Sequence, residues 1–582
     1  MASDQCRFDL PHAALAGIYG VFLLVFCSTR ILAQETYCNP LDLDYTYMIY
    51  NAHDNLSYRS GADPAVVQYR GEYYMFVTRS MGYWHSPDLT TWRFITPENW
   101  YFEGSNAPAA FNFRDSVLYV AGHPSGSMNV IYTEHPDRGR WEATQGLLHN
   151  LQDPALFIDE DGKSYMYWGS SNTFPIKVRE LDRNKRFRPS ETIHELFGLN
   201  GKEHGWERFG EDHRDTIPGY IEGPWMNRIG DTYYLQYAAP GTEFNVYADG
   251  AYTASHPLGP FTYMPNNPFS YKPGGFMNGA GHGSTVPGPG GQHWHFASMA
   301  LNVNVGWERR IGAFPAFVDG DGLLHCDTRF GDYPHFAPSE SDRQGAFAGW
   351  MLLSYGKPVT VSSAVGDFKA EYLTDEKVKT FWLASPEDQE PWVRIDLQRP
   401  MEVRALQINY NDYQSNMYGR PPAPGHQFLL EGSLDGVEWI TLEDRSETQR
   451  DAPNAYIQLE RPARCRYVRY RNIHVPTPHL SISDFRIFGL GGGKLPGVPS
   501  RLQADRSADR LDVQLHWKEI PGVQGYNVLW GIAPDKLYNS WMVYGKADLE
   551  LRALTAGQAY YIAVEAFNEN GVSAPSKPQF LE

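Results

Sequence analysis

One short pattern returns five times between residues 60 and 300, and it restricts this chain to a repetitive all-β architecture. The copies begin at Asp63-Pro-Ala-Val-Val, Ala107-Pro-Ala-Ala-Phe, Asp153-Pro-Ala-Leu-Phe, Glu222-Gly-Pro-Trp-Met and, more weakly, His282-Gly-Ser-Thr-Val. A turn and an aromatic strand follow each, as in Gly71-Glu-Tyr-Tyr-Met-Phe and Gly230-Asp-Thr-Tyr-Tyr-Leu. A short apolar strand, a turn and a second strand make a hairpin. The spacings of 44, 46, 69 and 60 residues match one four-stranded propeller blade plus insertions. Five blades are expected. Equivalent positions of successive blades converge on a propeller axis, so Asp63, Asp153, Glu222 and His282 are expected to meet in one pocket.

At 582 residues the chain exceeds what one core can organise. Its 50 Lys and Arg against 68 Asp and Glu leave a net charge of -18, which argues against nucleic acid or an anionic membrane as partner. The 37 Tyr and 16 Trp suit ligands with C–H faces, such as sugars, although most such rings serve as sheet core. Ala13 to Cys27 is an apolar run too short for a permanent span. It reads as the core of a signal peptide over residues 1–33, cut near Ala33, with lipid attachment at Cys27 the weaker alternative. The mature chain is then secreted, periplasmic or extracellular, with no membrane span. Three cysteines remain, and a Cys38–Cys326 bridge closing the ring is one expectation, against three free thiols.

Residues 34–350 are assigned to the propeller, with the charged segment 196–218 expected as a rim loop that favours a closed pocket. Residues 356–490 alternate as a β-sandwich and, through Trp392-Val-Arg-Ile-Asp-Leu, Phe428-Leu-Leu-Glu-Gly-Ser-Leu-Asp435-Gly-Val-Glu-Trp439 and Ile482-Ser-Asp-Phe-Arg-Ile-Phe-Gly489, resemble the discoidin-like, or coagulation factor five/eight type C, module. The resemblance implies carbohydrate binding or a buttress. A linker, 491–499, precedes residues 500–582. There Gly525-Tyr526-Asn-Val-Leu-Trp530 and Tyr560-Tyr-Ile-Ala-Val-Glu-Ala-Phe567 resemble a fibronectin type III domain, itself a β-sandwich.

Glycoside hydrolysis needs one carboxylic acid to protonate the leaving oxygen and one carboxylate to activate water or attack. A third carboxyl can tune the acid. Asp-Pro also serves as a structural turn, but Ala107 shows that the repeat tolerates a non-acid and Glu222 stays acidic while breaking the spelling. Asn39-Pro-Leu-Asp-Leu, Trp84-His-Ser-Pro-Asp-Leu-Thr-Thr-Trp92, Asn106-Ala-Pro-Ala, Glu222-Gly-Pro, Ser255-His-Pro-Leu-Gly-Pro-Phe261 and Gly281-His282-Gly-Ser together resemble glycoside hydrolase family 43.

That resemblance implies inversion, with Asp63 as general base, Asp153 as the residue that tunes and orients the acid, and Glu222 as general acid. It also implies that His282 organises the pocket, by way of water around a structural calcium; no cofactor is required for the chemistry. Arg310 is placed in the pocket, with Arg309 the alternative because Phe314-Pro-Ala-Phe departs from the family pattern. Trp84 and Trp225 are candidate sugar platforms, against a core role. The expected activity is exo-acting removal of α-L-arabinofuranose from plant cell-wall polysaccharide or oligosaccharide. β-Xylosidase, galactan-active and endo-arabinanase readings stay open, as does a non-catalytic carbohydrate-binding protein.

Overall fold

The computed structural model describes residues 35–582 apart from Ala52, Asp54, Asn55, Tyr101, Glu103, Thr216, Glu340 and Pro422. The signal peptide expected at 1–33 lies outside the described residues. Five blades of antiparallel strands follow one another along the chain, and a parallel bridge between Ala248 and Ala280 joins the fourth and fifth into one nine-stranded sheet. The first strands are Ala65–Tyr69, Asn106–Phe113, Ala155–Ile158, Ile221–Ile229 and Asn278–Pro287, and each pairs with the strand after it. The sheets close with Arg93–Ile95, Glu142–Leu151, Arg188–Pro189, Thr262–Tyr263 and Leu324–Cys326 respectively. This is the expected five-bladed β-propeller. Its hairpins form where the sequence supplies left-handed turn residues: Arg70 and Gly71 stand at φ 53° and 82°, the sign a two-residue type I′ turn requires.

The residue that leads into each blade is also left-handed. Asp63 has φ 55°, Ala107 39°, Asp153 48°, Gly223 60° and His282 47°. Non-glycine residues held there store roughly 1–3 kcal/mol each and persist only where the surroundings fix them. In the fourth blade the left-handed position falls on Gly223, so Glu222 sits one residue ahead of its counterparts, next to a register shift between Glu222 and Trp225.

The chain ends of the propeller pair as Thr36–Tyr37 against His335–Phe336, not against the strand that carries Cys326. Cys38, Cys326 and Cys465 are all free and buried, so the expected bridge does not form. Cys38 donates instead to Asp332 O at 3.3 Å.

The following module is built on two long strands, Trp392–Tyr410 and Asn454–His474, flanked by Ser481–Leu490 and Gln427–Ser433. Met351–Leu352 pairs with Gly489 and Phe488, which extends the sheet N-terminal of residue 356. Residues 491–499 contain no strand. The last module stacks a three-stranded sheet, Gln503–Arg506, Val513–His516 and Asp548–Leu551, on one formed by Asn539–Tyr544, Gly525–Gly531, Tyr560–Asn568, Gly571–Val572 and Gln579–Leu581.

The described residues fall in one compact unit. One core cluster joins Trp206, Tyr237 and Tyr271 of the propeller to Val528, Trp530, Trp541 and Val564 of the last sandwich. Segment 196–218 is therefore not simply a rim loop. Its Trp206 is fully buried in that core, Gly205 N donates to Leu554 O, and Arg208 pairs with Asp509 and Asp512 at 2.7 and 3.0 Å. Among the described residues no helix is long and apolar enough to cross a membrane.

Candidate active site

The blade geometry brings Asp63, Asp153, Glu222 and His282 together. His282 Nδ1 lies 3.4 Å from Asp63 Oδ1 and 3.7 Å from Asp153 Oδ2. The backbone at Gly223 runs directly over the imidazole: a Cβ there would come within 2.6 Å of His282 Cγ and Cδ2. Glycine is thus required after Glu222 both for its positive φ and for this approach. The loop that presents His282 is held by Asp249, whose carboxylate accepts the N–H of His282 at 2.7 Å and of Gly283 at 2.8 Å and faces His295 Nε2 at 3.0 Å.

Asp63 is 9% exposed at its side chain. Thr78 Oγ1 donates to its Oδ2 at 2.5 Å, and Arg309 Nη1 stands 3.4 Å from its Oδ1. Burial alone would raise its pKa, but Arg309, His282 and the hydroxyls of Thr78 and Ser298 outweigh it and hold the carboxyl below its usual range. Asp153 is the opposite case. Burial, then the charges of Glu222 and Asp63, push it up to about 8 against the opposing pull of His282 and the Gly223 N–H. Burial opposes protonation of His282, yet the carboxylates of Asp63, Asp153, Glu222 and Asp249 hold the imidazole above its usual value. Glu222 accepts from Tyr247 at 2.5 Å and from Ser170 at 3.0 Å. Burial and the Glu222 charge keep the Tyr247 phenol well above its normal range, so it remains a donor.

Two candidates are corrected. Arg310 is fully buried on the far face of its strand, donating to Arg59 O and Asn454 Oδ1; its neighbour Arg309 is the arginine of the pocket. Adjacent strand residues point to opposite faces, which decides between them. Trp84 is completely buried, packed at 4.9 Å on Phe94 and donating to Asp44, and belongs to the first blade's core. Trp225 stays a candidate: it is half-buried against the core cluster of the first two blades, with Nε1 3.4 Å from Thr285 O.

The sequence reading missed Thr78, Ser170, Tyr247, Asp249 and Trp307. Trp307 is 51% exposed, and among the sixteen tryptophans it alone is exposed. Its ring centre lies 6.0 Å from the Arg309 guanidinium, so it stands at the pocket mouth. The loop behind it is rigid: the fully buried Glu308 carboxylate accepts Val303 N, Asn304 N and Asn304 Nδ2 at 2.6–2.9 Å. Asn302 ties that loop to Glu243 O at 2.6 Å. Glu243 is a further carboxyl near the pocket, pushed up by burial and by the Glu222 charge.

Among the described residues no group of three or more His, Cys, Asp or Glu side chains is arranged to hold a metal ion. Nδ1 of His282 faces carboxylates instead. The side chains present do not fit a directly ligated calcium.

Paired carboxyls converging from separate blades of a propeller define a glycoside hydrolase domain. Residues 57–322 match the Glycosyl hydrolases family 43 model, and residues 358–483 match the F5/8 type C domain. A β-D-galactofuranosidase of Aspergillus niger is 24% identical over 35% of this chain and 64% of its own length. A non-reducing end α-L-arabinofuranosidase of Bacteroides ovatus is 26% identical over 55% of this chain and 57% of its own. The matches thus span less than two thirds of these relatives. Among solved structures, a thermostable family-43 glycoside hydrolase aligns with a TM-score of 0.40 and 20% identity, over 53% of this chain and 98% of that one.

Proposed function

We propose that the chain is a secreted, inverting, exo-acting α-L-arabinofuranosidase that trims side chains of plant polysaccharide. The observation that carries the reading is the asymmetry of the carboxyl set: Asp63 is held ionised by Arg309 and His282, while Asp153 keeps its proton to about 8 beside Glu222. An ionised base and a proton-bearing carboxyl pair on separate blades are what single displacement by water requires. Asp63 removes a proton from the attacking water. The Asp153 and Glu222 pair supplies the proton for the leaving oxygen, and Glu222, longer by one carbon and oriented by Tyr247 and Ser170, is the member that reaches it. No step is routed through a metal.

The low exposure of Asp63, Asp153 and His282, at 9, 15 and 12%, suits a pocket that admits one terminal sugar, hence an exo mode. Trp307 replaces the buried Trp84 as a sugar platform, beside the half-buried Trp225. The last sandwich is read as fibronectin-like and the middle one as a discoidin-like module that holds polysaccharide near the pocket.

The test is a screen of 4-nitrophenyl α-L-arabinofuranoside, β-D-xyloside and β-D-galactofuranoside with Glu222→Gln as control, followed by NMR of the first-formed anomer. Release from the arabinofuranoside that is lost in the variant, with inverted product, supports the reading. Release only from another glycoside changes the sugar, and a retained anomer refutes the roles given to Asp63 and Glu222.

A further inference from the structure

One buried titratable group next to the pocket has no part in the chemistry described so far. His295 is completely buried on the strand His293–Ala300, its ring against the backbone of Gly283, where a Cβ would come within 2.5 Å of Cε1 and Nε2. Its Nε2 lies 3.0 Å from Oδ2 of Asp249, itself buried on the fourth-blade strand Ala248–Ala254. We propose that Asp249 and His295 are positioning residues of the pocket, a buried ion pair that holds the backbone of His282 and presents its imidazole to Asp63 and Asp153; the proposal rests on the hydrolase reading above.

Hydrogen-bond bookkeeping fixes the protons of His295. Thr285 O is a backbone carbonyl and can only accept, so Asn227 turns its Nδ2 to it, at 2.9 Å, and its Oδ1 to Gln236 Nε2, at 2.7 Å. Gln236 is thereby oriented with Oε1 toward Thr285 Oγ1, at 3.1 Å, and the hydroxyl spends its one proton there. The same hydroxyl oxygen lies 3.0 Å from His295 Nδ1 and accepts from it, so Nδ1 carries a proton. On the other side of the ring Asp249 accepts His282 N on Oδ1 and Gly283 N on Oδ2, so it is the acceptor of its pair with His295. A bare Nε2 lone pair against that carboxylate would be repelled. Both ring nitrogens are therefore protonated, and His295 is a cation.

The other blades show what such a pair adds. The N–H of the left-handed residue is taken by a plain hydroxyl at Asp63, by Ser298 Oγ at 2.8 Å, and at Ala107, by Thr78 Oγ1 at 2.8 Å. A hydroxyl thus suffices for the turn. At His282 a carboxylate backed by an imidazolium stands in the same place, which is more than the backbone needs and suits the charged side chain above it. Burial opposes the charge on His282, and Asp63, Asp153, Glu222 and Asp249 together outweigh it. Around Asp249 the remaining titratable neighbours, Tyr247 and Cys326, are kept neutral by burial, so His295 is the cation that answers it from behind the loop.

Nitrogen NMR of the histidine rings in wild type and Asp249→Asn, assigned with His282→Gln and His295→Gln, reads these protons directly. His295 is expected to show both nitrogens protonated at neutral pH in the wild type, and the His282 titration midpoint is expected to fall by about one pH unit in Asp249→Asn. On 4-nitrophenyl α-L-arabinofuranoside, Asp249→Asn and His295→Gln are each expected to lower kcat about tenfold with KM within about twofold of wild type. An unprotonated ring nitrogen on His295, an unmoved His282 midpoint, or full kcat in the folded variants would each overturn the proposal. The His295 signature is read on the unaltered protein, so the proposal can fail even where a variant does not fold. A wild type that hydrolyses no glycoside, with His295 doubly protonated and the His282 midpoint moved, would sink the hydrolase reading and leave the pair standing.

Discussion

The propeller axis and the seam between propeller and first sandwich both bury clusters of charge, and they treat them in opposite ways. At the seam Arg59 grips Asp412 through Nε and Nη2 at 2.7 and 2.8 Å and Asp451 through Nη1 at 2.6 Å. Burial would raise both acids, but Arg59 outweighs it and both are held below the usual range. At the axis three carboxyls share one imidazole and one guanidinium contact at 3.4 Å, and Asp153 is left with its proton. Buried acids with enough bonded cations are fixed scaffolding. Buried acids short of cations titrate, and can work.

The comparison breaks most visibly if each cluster is disarmed. Glu222→Gln or Asp63→Asn is expected to lower kcat by about 10³-fold with the melting temperature nearly unchanged, as steady-state kinetics and calorimetry would register. Arg59→Ala leaves Asp412 and Asp451 buried without their partner and is expected to cost about 3–5 kcal/mol in denaturant unfolding, while folded protein keeps its kcat. Equal effects of the two kinds of variant on stability would erase the distinction.

The pH response sharpens it. Activity on a chromogenic glycoside is expected to fall on the alkaline side as Asp153 loses its proton near pH 8. Its folded pKa lies above the unfolded value of about 4, so the folded chain holds a proton that the unfolded chain releases, and Asp153 lowers stability as pH rises between those values. The gain in melting temperature from Asp153→Asn should accordingly grow from pH 4 to pH 8, read by scanning calorimetry. The smallest effect is expected from Trp307→Ala, a three- to tenfold rise in KM with kcat retained, whereas Trp84→Ala should destabilise by about 3–5 kcal/mol with KM unmoved.

The five blades were legible because a propeller repeats one local conformation. A left-handed residue near the head of each first strand is followed by a left-handed turn residue seven to nine positions on, so the pair prints a period in the sequence. Asp63 and Asp153 were legible for the same reason, since they occupy that repeating position, and Glu222 because it stands one residue ahead of it. What could not be read was anything that depended on face or on third strands. Arg309 and Arg310 are neighbours in one apolar strand, and only its pairing, Arg309 with Ala300 and Arg310 with Met299, separates pocket from seam. Tyr247 and Asp249 arrive from a strand with no motif. Trp84 and Trp307 have identical composition signals, and burial alone tells them apart. Segment 196–218 looked like a rim loop because its partner, the last sandwich, begins about 300 residues later in the chain.

The left-handed residue at the head of every blade also bears on how such an enzyme could diversify. The ring has five equivalent mounts around one axis. Three display reactive side chains, the fourth takes a glycine so that Glu222 can stand beside it, and the one on the second blade holds only a methyl group. Ala107 is 4% exposed, at φ 39°, with its N–H donated to Thr78 Oγ1, the same hydroxyl that steadies Asp63. A change of side chain at position 107 would therefore enter the ring through a backbone already shaped to carry one, leaving each reacting group in place and altering only the company the sugar keeps.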